Sequence, residues 1–451
     1  MEILDYLMKE LKKKKVDEAV LSFVTNNSRQ IKFANNKIVK TGVEELKDVG
    51  VFVVKDKKIV STGFRDVMGE PGTGTAEFTN INKKQVRAFM RKLMSYLKAV
   101  SPKEDYNGLN NKKFRYKEVS GIYDSKVEAV DDVDIVEKGI NAALKEAKRT
   151  NGILEVHDIK SDILTSHGVK FNEKQTELYF SIRSFNKKDE SGHMNASSTC
   201  VKGFDVEGAG RSSGEIAKDA RNPIKGKKGK YDVIFSPLAF APLLNNVGEA
   251  SSIFSVETGM SFFGDKLNEK VGCKEVTLYD EGSLKEGIGS TKADEEGVPT
   301  QKTVLIDKGI FKSYLHNTCT ARKYNVESTG NAGIITPSAW NLVLKTGERG
   351  LDKMLKSIKE GIYVTNLYYT RFSNYHTGDF STIPRDGIFL IKNGEIVKSL
   401  KGIRVSENLL NVLKNISETG KDAVHLRSWE ADTPVLCPHV LVKDCNVTTP
   451  D

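Results

Sequence analysis

The spacing of apolar residues near the N-terminus changes from a helical period to a period of two, and this change most constrains the fold. The first segment carries Ile3, Leu4, Leu7, Met8 and Leu11 at the spacing of an amphipathic helix. From residue 19 to residue 67, apolar and polar positions alternate instead, and turn sequences at 35–36 and 55–58 interrupt the alternation. Such alternation, broken by short polar turns, predicts consecutive hairpins. We therefore expect a helix followed by an antiparallel meander.

Two further helices and a return to strands complete the predicted N-terminal domain. Apolar stripes predict helices at about residues 83–100 and 134–150. Within residues 164–185 apolar side chains again alternate with other side chains, which predicts strands. The domain is thus an α+β unit, residues 1–224. The lysine- and glycine-rich segment 225–230 that follows is interpreted as a solvated linker.

The second predicted domain, residues 231–451, is rich in strands with helices between them. An apolar strand at 231–235 is followed by Ser236-Pro237, which favours the start of a helix at about residues 238–252 with Ser236 as its N-cap. The remaining predicted elements are hairpins at residues 307–309 and 393–394 and helices at about residues 351–361 and 406–419. The fold class is therefore α+β in two domains, which suits a chain of 451 residues.

The charge balance and the cysteine content bear on the binding partners and the cellular location of the protein. Lysine and arginine number 69 against 60 acidic residues, so the formal net charge of +9 is small for this length. Nucleic acid is not a favoured partner, because nucleic-acid-binding proteins concentrate basic charge on one stripe. No stretch approaches the roughly 20 apolar residues of a membrane span. The N-terminus lacks a secretion-signal pattern, and five cysteines do not suggest a disulfide framework. We expect a cytoplasmic protein with no membrane partner.

The usual motifs of nucleotide binding and hydrolysis are missing, but two His/Cys pairs could contribute to a metal site. His316 and Cys319 would face the same way on a helix, and Cys437 and His439 would face the same way on a strand. Together the four could form a tetrahedral zinc site. The other interpretation is that both cysteines are small buried thiols and that the histidines lie at surface edges.

Three polar, glycine-containing segments stand out in the second domain. Residues 294–301 place three carboxylates before a glycine and a proline, and residues 328–333 and 376–381 share the same character. From composition alone each is an ordinary loop between strands, because glycine, asparagine and aspartate supply turns.

The colinear order of these segments resembles the TldD/PmbA family of modulators and metalloproteases over most of the chain. The segments that carry the resemblance are Ser166-His167-Gly168, residues 294–301, Tyr314-Leu315, Ala321, Ser328-Thr329-Gly330-Asn331, residues 361–365, Thr377-Gly378-Asp379-Phe380-Ser381 and Asn393-Gly394-Glu395.

The family has two branches, and this chain is similar to the PmbA/TldE branch. TldD-type members carry His-Glu-x-x-x-His on a helix, which holds zinc together with a distant cysteine, and the glutamate acts as general base. The corresponding helix here, at about residues 238–252, contains no histidine. The family's metal cysteine would fall near residues 424–427, where this chain has His425. The resemblance therefore implies no catalytic residue and no metal in this chain, with zinc in a partner subunit.

What the resemblance implies is a non-catalytic subunit that pairs with a TldD-type catalytic chain. In that family the heterodimer encloses a chamber that admits unfolded peptides, which the complex trims or degrades. The residues that the resemblance places in peptide-binding or chamber loops are Asp294, Glu295, Glu296, Gly297, Ser328, Gly330, Asn331, Thr377, Gly378, Asp379 and Ser381.

Two alternatives remain open at this point. The chain could be a metallopeptidase in its own right, with His316, Cys319, Cys437 and His439 as ligands. It could also be a homodimeric peptide-binding or nucleic-acid-binding protein without a protease partner, for which the basic segment 225–230 is the motivation.

Overall fold

A computed structural model describes residues 1–68, 83–333 and 335–449 of the protein. The helices are α1 (Glu2–Lys13), α2 (Lys83–Ala99), α3 (Asp132–Ala143), α4 (Val206–Asp219), α5 (Pro237–Ala250), α6 (Ile253–Glu257), α7 (Thr318–Lys323), α8 (Leu351–Lys356) and α9 (Leu409–Asn415). The strands of the N-terminal half are β1 (Glu18–Ala34), β2 (Lys37–Lys55), β3 (Lys58–Met68), β4 (Arg149–Thr165), β5 (Lys170–Phe185) and β6 (Ser191–Ser198). Those of the C-terminal half are β7 (Ile224–Lys225), β8 (Gly229–Phe235), β9 (Leu278–Glu281), β10 (Lys302–Asp307), β11 (Ile310–Phe311), β12 (Leu342–Leu344), β13 (Glu360–Asn374), β14 (Asp379–Lys392), β15 (Glu395–Lys401), β16 (Arg404–Asn408), β17 (Ile416–Thr419), β18 (Val424–Ser428), β19 (Ala431–Cys437) and β20 (Val440–Thr448).

The first six strands form one antiparallel sheet in the order β3-β2-β1-β4-β5-β6. Alternate residues of a strand point to opposite faces, and here both faces are covered. Leu21 and Val51 pack with apolar side chains of α1 and α2, whereas Val20 and Phe52 pack with Ala293 from the C-terminal half. The predicted meander is therefore confirmed, because β1, β2 and β3 are consecutive antiparallel neighbours.

Two sheets build the C-terminal half. One runs in the order β11-β10-β9-β12-β19-β18. In the other, β13, β8, β20, β16 and β14 pair in succession, and β14 pairs again with β13, so these strands close into a ring. Strand β15 extends from β14, and β7 pairs with β15.

Helix α5 packs against β13 of the closed ring and β19 of the other sheet, so it lies between the two sheets. Ser236 caps the helix, since its Oγ accepts the backbone N–H of Ala239 at 3.2 Å, and Pro237 occupies the first turn. All of its residues except Asn246 and Glu249 are buried. A helix that is apolar around its circumference is stable only inside a core, and α5 is the centre of this one.

Four expected boundaries are corrected by the structure. The helix predicted at 351–361 ends at Lys356, because β13 begins at Glu360. The helix predicted at 134–150 ends at Ala143, because β4 begins at Arg149 and pairs on both sides with β1 and β5. The helix predicted at 406–419 is reduced to α9, because the residues on either side join strands β16 and β17. The segment 225–230 is solvated as predicted, but it is not only a linker, since Lys225 ends β7 and Gly229 begins β8. Tertiary pairing outweighed local propensity in each case.

Strand pairing separates the two halves of the chain between β6 and β7. Side-chain contacts nevertheless join them, including the ion pairs Arg183–Asp386 and Arg427–Glu177. Over the described ranges, no helix combines the length and apolar character needed to cross a membrane.

Candidate functional site

The polar side chains of α5 form hydrogen bonds within the chain. Asn245 is buried, and its Nδ2 donates to Glu249 Oε1 at 2.7 Å while its Oδ1 accepts the N–H of Thr433 at 3.0 Å. Asn246 donates from Nδ2 to the carbonyl of Pro242 at 2.8 Å. Glu249 is the one exposed residue of the helix. These amides therefore brace the helix and its contact with β19.

A small cleft lies at the C-terminal end of α5. Its volume is about 100 Å³, and it is lined by Asn246, Glu249, Ala250, Phe254, Ser255, Thr258, Met260, Phe262, Phe372 and Tyr375. Phe254, Met260 and Tyr375 are exposed, so the rim is apolar. The cleft thus combines one carboxylate with exposed apolar side chains.

The donor set around α5 does not fit a catalytic zinc ion. Such a site needs three protein ligands, chosen from imidazole, thiolate and carboxylate groups. The helix supplies two amides that are already hydrogen-bonded and one carboxylate, Glu249. Across residues 1–68, 83–333 and 335–449, no group of three or more His, Cys, Asp and Glu side chains is arranged to hold a metal. His425 offers no replacement, because its neighbour Leu426 faces the core around α5 and adjacent strand residues point to opposite faces.

The four residues of the alternative metal site do not meet. His316 precedes α7 and contacts Thr320 Oγ1 through Nδ1 at 3.3 Å, and Cys319 Sγ accepts the N–H of Asn107 at 3.2 Å. Cys437 is buried, with Sγ 3.1 Å from the Pro438 carbonyl. His316 and Cys319 do not share a helix face, because His316 lies before the N-cap Asn317 of α7. Cys437 and His439 do not share a strand, because β19 ends at Cys437.

Burial explains the protonation of these groups without a metal. His439 lies 3.3 Å from the Tyr363 hydroxyl through Nε2, and burial lowers its pKa to about 4. Burial likewise lowers the pKa of His316 to about 4. The pKa of the Cys319 thiol is raised, also by burial. The histidines are therefore neutral at pH 7, and Cys319 is a protonated thiol.

The loop that contains Asp294 turns inward. Asp294 is fully buried, and its carboxylate accepts the N–H groups of Glu296, Val298 and Ala332 at 2.8–3.0 Å. The N–H of Glu295 donates to the Ala332 carbonyl at 3.0 Å. Burial and the nearby Glu296 carboxylate raise the pKa of Asp294 well above its usual range. This carboxylate organises its own loop and has no exposed surface.

Its neighbours Glu296 and Gly297 join the loop to other elements. Glu296 Oε2 accepts the N–H of Thr318, the first residue of α7, at 3.2 Å. Gly297 has φ +77°, and a Cβ there would approach Val169 to 2.3 Å. Tyr116 donates its hydroxyl to the Gly297 carbonyl at 2.8 Å, which connects the two halves of the chain.

The second predicted loop packs on the first. Gly330 has φ +69°, and a Cβ there would lie 2.4 Å from the Pro299 carbonyl oxygen. The Gly330 N–H donates to Ser328 Oγ at 3.3 Å. Asn331 is fully buried and donates to Asp280 Oδ2 at 2.6 Å. The structure therefore brings the 294–297 and 328–331 residues into one internal polar network.

The third predicted loop lies apart, in the β13–β14 hairpin, and is more exposed. Asp379 accepts Nδ2 of Asn408 at 2.9 Å and the hydroxyl of Thr377 at 2.5 Å. Gly378, at φ +83°, packs against Phe262, which also lines the cleft at the end of α5. Ser381 Oγ lies 3.2 Å from the Ser406 hydroxyl. This loop therefore borders the α5 cleft.

Sequence reasoning missed a second, larger cleft between the two halves of the chain. Its volume is about 470 Å³, and it is lined by Asn151, Gly152, Ile153, Glu155, Tyr179, Ser181, Arg183, His193, Asn366, Tyr368, Asp386 and Trp429. These residues are scattered over most of the sequence, so no local motif marks the cleft. The available signal was Trp429, a large aromatic residue in a hairpin turn.

Comparison with known proteins assigns the C-terminal half to a family. Residues 228–449 match the model of the PmbA/TldA metallopeptidase C-terminal domain. The metalloprotease MJ0996 of Methanocaldococcus jannaschii is 34% identical over 250 residues, 52% of this chain and 54% of that protein. The aligned segment thus spans about half the length of that relative. A PmbA metalloprotease homologue of Buchnera aphidicola is 32% identical over 48% of this chain and 47% of its own length.

Solved structures share the whole fold. TldE from Thermococcus kodakarensis superposes with a TM-score of 0.84 at 22% identity and covers 99% of this chain and 100% of its own. A Thermotoga maritima protein described as a candidate modulator of a DNA gyrase gives a TM-score of 0.85 at 24% identity over 99% of both chains. The architecture is thus that of the TldD/TldE fold. The domain match, together with the metalloprotease relatives, shows that residues 228–449 of this chain belong to the PmbA/TldD family.

Proposed function

We propose that this chain is the non-catalytic, TldE/PmbA-type subunit of a cytosolic heterodimeric metalloprotease that degrades or trims unfolded peptides. Its partner is a TldD-type subunit, which supplies the zinc and the general base. This chain contributes a wall of the peptide chamber and holds no cofactor of its own.

The observation that carries the proposal is the chemistry of α5. A TldD-type helix presents two imidazoles to the zinc ion and a glutamate as general base, whereas here Asn245 and Asn246 present amides that bind their own chain. An amide is a poor zinc ligand beside imidazole, thiolate and carboxylate. Several substitutions would be needed to restore zinc ligands on α5. Hydrolysis therefore depends on the zinc of a second polypeptide.

Capture of extended peptides is supported by an open strand edge. Beyond Val364 the strand partner of β13 among the described residues is β14 alone, but residues 365–367 are buried and the Glu430 carboxylate accepts the N–H groups of Tyr369 and Thr370. The part of the edge that stays open is therefore residues 371–374. An unpaired edge can bind a peptide through main-chain hydrogen bonds, which tolerate many sequences. The exposed Thr377 lies just beyond this edge. Buried Asp294 and Asn331 then act by holding their loops in shape.

The test is co-expression with a TldD-type chain from the same organism, followed by native mass spectrometry, metal analysis and a peptidase assay. We expect a one-to-one complex with zinc in the partner. This chain should retain less than about one tenth of an equivalent of metal, whereas a catalytic centre must be occupied by its metal to act. Activity on unstructured peptides should exceed that of either chain alone.

Each chain assayed separately is the control. Failure to co-purify, together with no gain in activity over the TldD-type chain, contradicts the proposal. Stoichiometric zinc on this chain alone, with peptidase activity, would instead support an independent metallopeptidase. A homodimer of this chain that persists when the partner is added would favour the homodimeric peptide-binding alternative.

A further inference from the structure

Tyr368 and Trp429 line the interdomain cleft, and the exposed Tyr369 contacts both of their rings; we call these three residues the aromatic cluster. The ring centroids of Tyr368 and Tyr369 are 4.3 Å apart, and those of Tyr368 and Trp429 are 4.7 Å apart. Trp429 is 55% exposed and Tyr369 is 46% exposed. Tyrosine, tryptophan and arginine are the residues most enriched at binding hot spots.

Trp429 stands where turn chemistry does not call for it. Strands β18 and β19 pair at Ser428 and Ala431, so Trp429 and Glu430 form a two-residue hairpin turn. Neither residue has a positive φ, so this turn accepts most residue types and does not itself select a tryptophan. The indole is more than half exposed, so burial in the core does not explain its presence. Its indole contacts the rings of Tyr368 and Tyr369 and forms part of the cleft lining.

Tyr369 is held in a conformation that tyrosine rarely adopts. Its φ is +54°, at an irregularity in the pairing of β13 with β14. Glu430 fixes this bulge, because its carboxylate accepts the N–H groups of Tyr369 and Thr370 at 3.1 and 3.0 Å. Backbone strain of this kind persists only where the surroundings enforce it, and it is frequent at binding sites. One glutamate thereby sets the bulge beside the turn that displays Trp429.

The floor of the cleft is polar, but its groups satisfy one another. Arg183 Nε donates to Asp386 Oδ1 at 2.6 Å, and Asn366 Nδ2 donates to Asp386 Oδ2 at 3.1 Å. His193 has Nδ1 3.1 Å from Asn366 Nδ2 and Nε2 2.9 Å from the Ser181 hydroxyl. A neutral imidazole that accepts from Asn366 and donates to Ser181 completes the network. The floor therefore needs no charged ligand group.

We propose that this cleft and the aromatic cluster are a side-chain recognition site that binds an uncharged aromatic side chain of an extended peptide. The volume of about 470 Å³ lies within the range of small-ligand sites. Rings of Tyr368 and Trp429 offer stacked or edge-on contacts to an incoming ring. Residues 371–374 of β13, beyond the two N–H groups that Glu430 binds, lie in the same strand as Tyr368 and can hold the peptide backbone. The peptide nature of the ligand rests on the proposed function, but the site belongs to this chain alone.

The test uses the full chain without a partner and two short fluorescent peptides of glycine, serine and threonine. One has a central phenylalanine, and the matched peptide has alanine there. Anisotropy should show binding of the phenylalanine peptide and at least about tenfold weaker binding of the alanine peptide. Trp429→Ala and Tyr369→Ala should each weaken binding of the phenylalanine peptide at least about tenfold. Tyr96→Ala, an exposed tyrosine on α2, is the matched control and should have no effect.

Tryptophan fluorescence gives a second readout, which does not depend on disruptive variants. The chain has two tryptophans, and Trp340 is tied elsewhere through Nε1 to the Gly330 carbonyl. The phenylalanine peptide should shift the emission of the wild type but not that of Trp429→Phe. Equal binding of both peptides, or equal binding by Trp429→Ala and the wild type, overturns this site. A TldD-type partner would still co-purify with Trp429→Ala, so that result leaves the proposed function intact.

Discussion

The side-chain amide of Asn331 donates to the carboxylate of Asp280 at 2.6 Å, and both side chains are completely buried. Asp280 also accepts the backbone N–H groups of Trp340 and Asn341 at 2.7 and 3.0 Å. Burial raises the pKa of Asp280 to about 6, although the three donors oppose this rise. A residue that the family resemblance places in a peptide loop is thus a structural partner of a buried acid.

Asn331→Ala should destabilise the fold by about 1–3 kcal/mol at pH 7.5, because a buried charged acceptor loses its donor. Loss of that donor raises the folded-state pKa of Asp280 further. The loss of unfolding free energy caused by Asn331→Ala should therefore become smaller as pH falls to about 5, where Asp280 of the folded protein is already protonated. Urea unfolding at the two pH values measures both effects.

Asn172→Ala, on an exposed position of β5, is the control and should cost less than about 0.5 kcal/mol. In an Asp280→Asn background the pH dependence of the Asn331→Ala effect should vanish. An equal cost of Asn331→Ala at both pH values would contradict the proposed coupling.

His425 should contribute to acid instability. Its Nε2 is buried and has no hydrogen-bond partner in the described part of the chain, and burial lowers its pKa to about 4. Between about pH 6.5 and pH 4 the unfolded chain binds a proton that the native chain does not, so stability falls as pH falls through this window. His425→Phe should reduce that loss by roughly 1–3 kcal/mol.

Denaturant unfolding from about pH 7 to pH 4 is the measurement for His425→Phe, and His376→Phe, at an exposed position, is the matched control substitution. Parallel pH profiles for His425→Phe and the wild type would show that His425 is not the titrating group.

Glycine substitutions should separate strain from packing in the aromatic cluster. Tyr369→Gly removes an aromatic contact of about 0.5–1.5 kcal/mol, but it also relieves a left-handed conformation that costs about 1–2 kcal/mol. The two effects offset each other, so thermal stability should stay within about 1 kcal/mol of the wild type. Tyr368→Gly gains no such relief, because Tyr368 is absent from the positive-φ positions, and it should cost more. A larger loss for Tyr369→Gly than for Tyr368→Gly would mean that Tyr369 is not strained.

Local elements were predictable wherever short-range chemistry decides them. The Asn393-Gly394 turn has φ of +52° and +84°, as a tight hairpin requires, and it joins β14 to β15. Ser236 caps α5 as its position before Pro237 predicts. Both features depend only on neighbouring residues, so a single sequence is enough to find them.

Features that depend on distant residues were not predictable. Thr419 joins β17 because β20 pairs with it, and Gly420 does not adopt the left-handed conformation that a helix C-terminus would need. The cleft network joins Arg183 to Asp386, two residues that no local pattern relates. The inward orientation of Asp294 and Asn331 also follows from packing of one loop on another. Sequence patterns identified these loop residues, but they could not show whether the side chains hold the loops in shape or contact a peptide.

Glu249 is the only carboxylate on α5 and lies in the cleft at the C-terminal end of that helix. If this chain supplied the general base, Glu249→Gln would lower kcat of the reconstituted complex by orders of magnitude, because an amide cannot accept the proton. We expect kcat to stay within about twofold of the wild-type complex, since the described part of the chain offers no set of metal ligands around Glu249 that would generate a nucleophile. Steady-state assays with an unstructured peptide measure this, and Glu257→Gln on α6 is the matched acidic control. A fall in kcat beyond about a hundredfold for Glu249→Gln alone, with the complex intact on native mass spectrometry, would place catalysis on this chain.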